Sequence, residues 1–236
     1  MNFKNERLLI IAPHADDEVL GCFGLIKKIK DSGGKVFVLI VSIGGYNKIG
    51  YGKVRKEVWR KEFLQVKKSL GIDDYDIGFF DDKTMLRLDT TPVIDLINMI
   101  ESETKVSLFK IKPSIIAIPT IFSTHQDHIV IYQACMTALR IRPQTDNHVS
   151  PMVVSYESPE YSFWSWYSEF GRFQPNFYLK LKKEEIDCKI DALKYYKSQL
   201  RKNHRDEKSI IRLGTQRGSE IGTEYAEAYH IHRLYV

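Results

Sequence analysis

Two apolar runs joined by one amphipathic helix constrain the fold of this chain more than any other feature. Leu8 to Ala12 is a short, partly β-branched run closed by Pro13, and Lys35 to Ser42 (KVFVLIVS) is its counterpart. Runs this apolar suit strands buried on both faces of a sheet. Between them, Asp16, Asp17 and Glu18 place acids in a helix's first turn, where they complement its dipole. Val19, Phe23 and Ile26 then recur at helical spacing until Gly33 and Gly34 stop the helix. A strand, helix, strand succession closes as a right-handed parallel unit, the hand in which the helix packs back onto the sheet. An α/β fold with a mostly parallel sheet is therefore expected.

Further along, Ile43 to Lys53, rich in Gly and Tyr, reads as a loop, and Val54 to Leu70 as a charged amphipathic helix ended by Gly71. A short strand is expected around Ile77 to Phe80. Thr90, Thr91 and Pro92 then predict a helix through about Glu103, with a hydroxyl N-cap and a proline in its first turn. Lys112 and Pro113 lead into another core strand, Ser114 to Ile118, which Pro119 closes. A loop holding His125, Gln126, Asp127 and His128 follows, then a helix from about Ile129 to Leu139. From Pro151 the pattern changes: MVVSYES and NFYLKLKK alternate as antiparallel or edge strands do. They flank an aromatic stretch, Tyr161 to Phe173, that holds Trp164, Trp166 and Tyr167, and a long helix is expected from about Glu184 to Lys202.

Composition narrows the class. At 236 residues the chain is long enough for a full core, and no repeat or low-complexity linker divides it, so one domain over residues 1–236 is expected. With 43% hydrophobic and 28% charged residues it is neither disordered, collagenous nor a coiled coil. No apolar run nears the roughly 18 residues of a membrane span, and a cytoplasmic protein without a membrane partner is expected. Cys22, Cys135 and Cys188 are scattered and form no CxxC pair, so any metal must use His and carboxylate. The net charge of +5 is dispersed, as in Lys27, Lys28 and Lys30 or Lys180, Lys182 and Lys183, which read as solvated faces, and no nucleic-acid partner is expected.

Ligands of open parallel sheets bind beyond the carboxyl ends of the strands. There the chain carries Pro13-His14-Ala15-Asp16-Asp17-Glu18 after its first strand and His125-Gln126-Asp127-His128 after a later one. A hydrolytic zinc site needs three protein ligands, an open position for water, and groups beside it to move protons. His14 and Asp17, three residues apart across a turn, can face inward together, and His128 can join them from the other loop. Asp16, His125 and Asp127 are left for catalysis. Taken singly, a histidine beside a strand is usually a hydrogen-bonded structural residue and an acidic run at a helix start is usually a cap; their joint placement at equivalent strand ends has no purely structural explanation.

These two motifs, PHADDE and HQDH, resemble those of the LmbE or PIG-L family of zinc-dependent N-deacetylases. Leu70-Gly71, Ala192-Leu193 with Tyr196-Lys197-Ser198-Gln199, and Tyr225-Ala226-Glu227-Ala228-Tyr229 resemble the family's later blocks in the right order, so the resemblance covers most of the chain. It implies a single domain with a Rossmann-like three-layer α/β fold, a mostly parallel sheet and a C-terminal strand pair plus helix. It further implies that His14, Asp17 and His128 bind zinc, that Asp16 is the general base and later acid, and that His125 stabilises the oxyanion. Asp127 would orient the His125 imidazole and favour its charged form. Two positions depart from the family pattern. Ala15 stands where proline is common. The arginine usual three residues before the helical glutamate is out of register, because Trp59 holds that place relative to Glu62; Arg60 is assigned instead to substrate contact, with a solvated helix residue as the other reading.

The activity implied is removal of an acetyl group from an N-acetyl amino sugar of N-acetylglucosamine type, free or conjugated. A different small amide conjugate would use the same residues, and another first-row divalent metal suits the ligand set. The aromatic stretch offers flat faces for stacking on a sugar ring or for contact between copies of the chain in a homo-oligomer. A Rossmann-like nucleotide-binding module is the rival from another class. It is disfavoured because acids occupy the turn where a GxGxxG loop would meet phosphate.

Overall fold

The computed structural model describes residues 3–48, 52–141, 148–164, 171–200 and 205–235. Strands are β1 (Arg7–Ala12), β2 (Lys35–Ser42), β3 (Tyr46–Lys48), β4 (Gly52–Val54), β5 (Asp74–Phe79), β6 (Ile115–Pro119), β7 (Met152–Tyr156), β8 (Phe177–Leu181) and β9 (Tyr225–Leu234). Helices are α1 (Asp17–Asp31), α2 (Lys56–Leu70), α3 (Val93–Asn98), α4 (Leu108–Ile111), α5 (Gln126–Ala138), α6 (Pro159–Trp164), α7 (Lys183–Leu193) and α8 (Glu207–Ser219). The seven-stranded sheet has the order β5-β2-β1-β6-β7-β9-β8. From β5 to β7 the strands run parallel, and β9 is antiparallel to both β7 and β8.

The apolar runs form β1, β2 and β6 because both sides of each are covered. In β1, Leu8, Ile10 and Ala12 join a core with α1, α2 and α7, while Leu9 and Ile11 join a second core with α3 and α5. Helices thus sandwich the sheet, and the expected mostly parallel α/β architecture is what the chain adopts. The order turns between β1 and β6: β2 and β5 lie to one side, β6 and β7 to the other. The loops leaving β1 and β6 diverge there and open a crevice, the place where such sheets bind ligands.

Buried polar groups lock α1 beneath this crevice. Lys189 donates to the Leu20 carbonyl and to Glu227, each at 2.7 Å, and Glu227 accepts from the Gly24 N–H at 2.6 Å and from the Tyr229 hydroxyl at 2.6 Å. Gly21 admits the ring of Tyr156, which a Cβ would meet at 2.2 Å, and the Tyr156 hydroxyl donates to the Ile11 carbonyl at 2.9 Å.

Several local expectations give way. The loop expected over Ile43 to Lys53 holds β3 and most of β4, an antiparallel pair whose three-residue strands are too short to show alternation, and Val54 ends β4 rather than opening α2. Pro92 itself caps α3, with no hydroxyl cap, and the helix passes into a π-turn at Met99–Glu103. α5 begins at Gln126, so Asp127 and His128 lie in a helical turn rather than a loop; the cap is the His125 ring, accepting the Asp127 N–H, which is outside the usual Ser, Thr, Asp and Asn repertoire. Both late strands pair antiparallel with β9 and β8 is an edge strand, as expected, but β7 is wholly buried between β6 and β9. The long helix stops at Leu193: buried Tyr196 and the contacts of Ser198 and Gln199 draw the chain into turns instead. Among the described residues no helix is long and apolar enough to cross a membrane.

Candidate active site

The turn from β1 into α1 is held by its own acids. The Asp17 carboxylate accepts the His14 N–H at 3.0 Å, and Glu18 accepts the Asp16 N–H at 2.9 Å. Trp59 on α2 donates its indole N–H to the Ala15 carbonyl at 2.9 Å and lies stacked on the His14 ring, with centroids 6.2 Å apart. So braced, Asp16 adopts φ 117°, a left-handed conformation that costs a non-glycine residue about 1–3 kcal/mol and is most often found where function requires it. Across the crevice, Ser123 accepts the His125 N–H at 3.0 Å, and the Gln126 amide donates to the Leu86 carbonyl at 3.0 Å, which fixes the start of α5.

Residues 113 positions apart meet here: His14 Nε2 lies 2.9 Å from Asp127 Oδ2. His128 Nε2 lies 3.3 Å and His14 Nδ1 3.9 Å from Asp17 Oδ2. His14, Asp17 and His128 are 4%, 1% and 2% exposed, and their ligand atoms fall within 4.8 Å of one another. Two imidazoles and a carboxylate so disposed fit one first-row divalent cation. His14, His125 and Asp127 make a second close set, but there the His14–Asp127 hydrogen bond occupies the space between donors. That bond resembles the carboxylate–histidine pairing that orients a metal ligand, with His14 Nδ1 left on the Asp17 side.

Asp127 therefore does not orient the His125 imidazole through its carboxylate. Its first-turn position on α5 sends the side chain toward His14, and its other oxygen accepts the Leu88 N–H at 3.0 Å. Nor is His125 held charged. Burial, and then the neighbouring His14 and His128, lower its pKa to about 2. Its Nδ1 accepts the Asp127 N–H at 3.2 Å, which leaves the ring proton on Nε2 and makes His125 a neutral donor at the cavity wall.

The two adjacent aspartates differ sharply. Burial opposes charge on Asp17, yet His128 and His14 hold it well below the usual carboxylate range. Burial pushes Asp16 well above that range, opposed by Arg205, whose Nη1 donates to Asp16 Oδ2 at 2.8 Å. Asp16 Oδ1 is buried with no hydrogen-bond partner among the described residues. A buried acceptor left open in this way is matched to a ligand or water that the protein chain does not supply. Glu18 accepts a short hydrogen bond from the Tyr196 hydroxyl, and burial raises its pKa to about 7.

A cavity of about 120 Å³ opens at His14, His125 and Arg205, and Tyr46, Trp59, Met85, Leu86, Glu160 and Gln199 complete its lining. Arg60 is not brought to it. It is exposed on α2, its guanidinium 5.5 Å from the Phe80 ring, while its neighbour Trp59 faces the site. The arginine that does reach the site, Arg205, carries no local signal in the sequence; the one hint is that three consecutive acids buried at a turn require a cation from somewhere. Of the aromatic stretch, residues 165–170, including Trp166 and Tyr167, lie outside the described residues, as do the side chains of Tyr161 and Trp164.

The profile of the PIG-L family, described as GlcNAc-PI de-N-acetylase, matches residues 9–139, which contain both motif-bearing turns. The uncharacterized deacetylase YaiS of Escherichia coli strain K12 is 27% identical over 201 residues, covering 83% of this chain and 92% of YaiS. The conserved protein TT1542 of Thermus thermophilus superposes with a TM-score of 0.73 at 23% identity, covering 98% of this chain and 97% of its own. N,N'-diacetylchitobiose deacetylase of Pyrococcus horikoshii superposes with a TM-score of 0.70 at 18% identity, covering 96% and 83%. At those identities the two structures testify to the fold. The family match, spanning more than half of the sequence and both motif-bearing turns, makes this chain a deacetylase of the PIG-L family.

Proposed function

We propose that this deacetylase hydrolyses the amide of an N-acetyl amino sugar of N-acetylglucosamine type, free or conjugated, with zinc held by His14, Asp17 and His128. The observation that carries the reading is the unpartnered, buried Oδ1 of Asp16 beside that ligand set. A divalent cation bound there supplies Lewis acidity, polarising a carbonyl and lowering the pKa of water from about 15.7 toward 7. Asp16 takes a proton from the attacking water through Oδ1, and the water oxygen bonds to the amide carbon. The Nε2–H of His125 donates to the oxyanion that develops, a neutral donor whose desolvated position makes it effective. Asp16 returns the proton to the nitrogen as the C–N bond breaks, releasing acetate and the amine. A sugar substrate is supported by the family's description and by the chitobiose substrate for which the Pyrococcus enzyme is named.

Amine release from a panel of N-acetylated sugars, with and without a chelator, tests this reading. Release that the chelator abolishes and added zinc restores is expected. Release unaffected by chelation, or confined to acyl amides that are not sugars, would contradict it.

A further inference from the structure

Asp16 has its backbone fixed three ways: by the left-handed φ of 117°, by Glu18 on its N–H, and by α1 starting at the next residue. Its side chain is not fixed by these. The terminal torsion of an aspartate is broad and roughly two-fold, so rotation exchanges the two carboxylate oxygens at little cost. What breaks that equivalence is Arg205. Its Nη1 donates to Asp16 Oδ2 and its Nε donates to Glu160 Oε2, both at 2.8 Å. The arginine side chain is 13% exposed, and the two carboxylates are 1% and 11% exposed.

We propose that Arg205 is a positioning residue for Asp16, holding one carboxylate oxygen so that only Oδ1 faces the reacting water. This role rests on Asp16 being the base of the reaction proposed above. Arg205 is itself well anchored. It precedes Asp206, whose carboxylate accepts the Ser209 N–H at 3.0 Å and caps α8, so the guanidinium is presented from the start of a capped helix. Glu160, in the first turn of α6, holds the opposite side of the fork. Two nitrogens of one guanidinium can serve two carboxylates at once in a fixed plane, whereas the single ammonium of a lysine cannot reproduce that geometry. Arg205 reaches Asp16 from 189 positions further along the chain.

The test uses the full chain loaded with zinc. Arg205→Ala should lower kcat by about 10²-fold, the scale of loss expected from a misplaced reacting group, with KM little changed and zinc content unchanged. Added guanidinium ion should restore turnover in Arg205→Ala and fail to do so in Asp16→Asn. In metal-free protein, the melting-temperature losses of Asp16→Asn and Arg205→Ala should combine to less than their sum, since each variant removes the same ion pair. Should Arg205→Ala fail to fold, Arg205→Lys keeps a charge and should show the same loss in kcat at unchanged KM. Full turnover in the arginine variants, or additive melting losses without rescue by guanidinium, would overturn the proposal while leaving Asp16 as the base. Full turnover in Asp16→Asn would instead remove the base itself.

Discussion

Asp16 and Asp17 are the same side chain at adjacent positions, and their surroundings assign them opposite tasks. His128 and His14 keep Asp17 ionised against burial, as a metal ligand must be, while burial makes Asp16 avid for a proton, as a base must become in the course of reaction. Asp16→Asn should therefore lower turnover by about 10²–10⁴-fold, the usual contribution of general acid–base catalysis, while zinc content by elemental analysis stays near that of the parent. Asp127→Ala removes the acceptor of His14 Nε2 and should weaken zinc binding by about 10–100-fold, measured by competition with a chromophoric chelator. Unchanged affinity would show that His14 needs no such support. The pairing of His14 and Asp17 with His128 is legible in the sequence, because residues following parallel strands converge on one edge of the sheet. The partner of Asp127 is not, since its direction depends on α5 beginning at Gln126 with a histidine as cap. Arg205 is invisible for a different reason: no local pattern encodes an ion pair across 189 positions.

Among the elements, α1 combines a strained start with buried polar support. It starts from a left-handed aspartate and is held by Lys189 from α7 and Glu227 from β9, both buried. Lys189→Met should destabilise the fold by about 3–5 kcal/mol in denaturant unfolding, because it strands the Glu227 charge in the interior. A loss below about 1 kcal/mol, the size expected of an exposed pair, would show that the contact is not holding α1. The strands β1, β2 and β6 can be read from composition because burial on both faces leaves a continuous apolar run. β7 has the same burial yet reads as an edge candidate, because its neighbour β9 lies far along the chain. The helix expected through Lys202 overruns α7 for a similar reason: Tyr196 is apolar enough to extend a helical pattern, but its hydroxyl is committed to Glu18, and Ser198 to Glu62.

For the whole molecule, His232 contributes an acid sensitivity that lies away from the metal ligands. His232 on β9 lies beside Tyr132 of α5, with ring centroids 5.7 Å apart; burial, and then His230, lower its pKa from 6.5 to about 4. Between those values the unfolded chain binds a proton that the folded one does not, so stability falls as pH drops from about 6.5 to 4. His232→Leu should make that fall shallower, measured by denaturant unfolding across the interval, and an unaltered slope would place the sensitivity elsewhere. The proposed chemistry depends on the β1 and β6 turns meeting around one cation at the point where the sheet order reverses. The most direct measurement is anomalous diffraction at the zinc edge from crystals of the zinc-loaded protein. A single peak bonded to His14, Asp17 and His128 is predicted. A peak elsewhere, or none while those three side chains contact only each other, would contradict it.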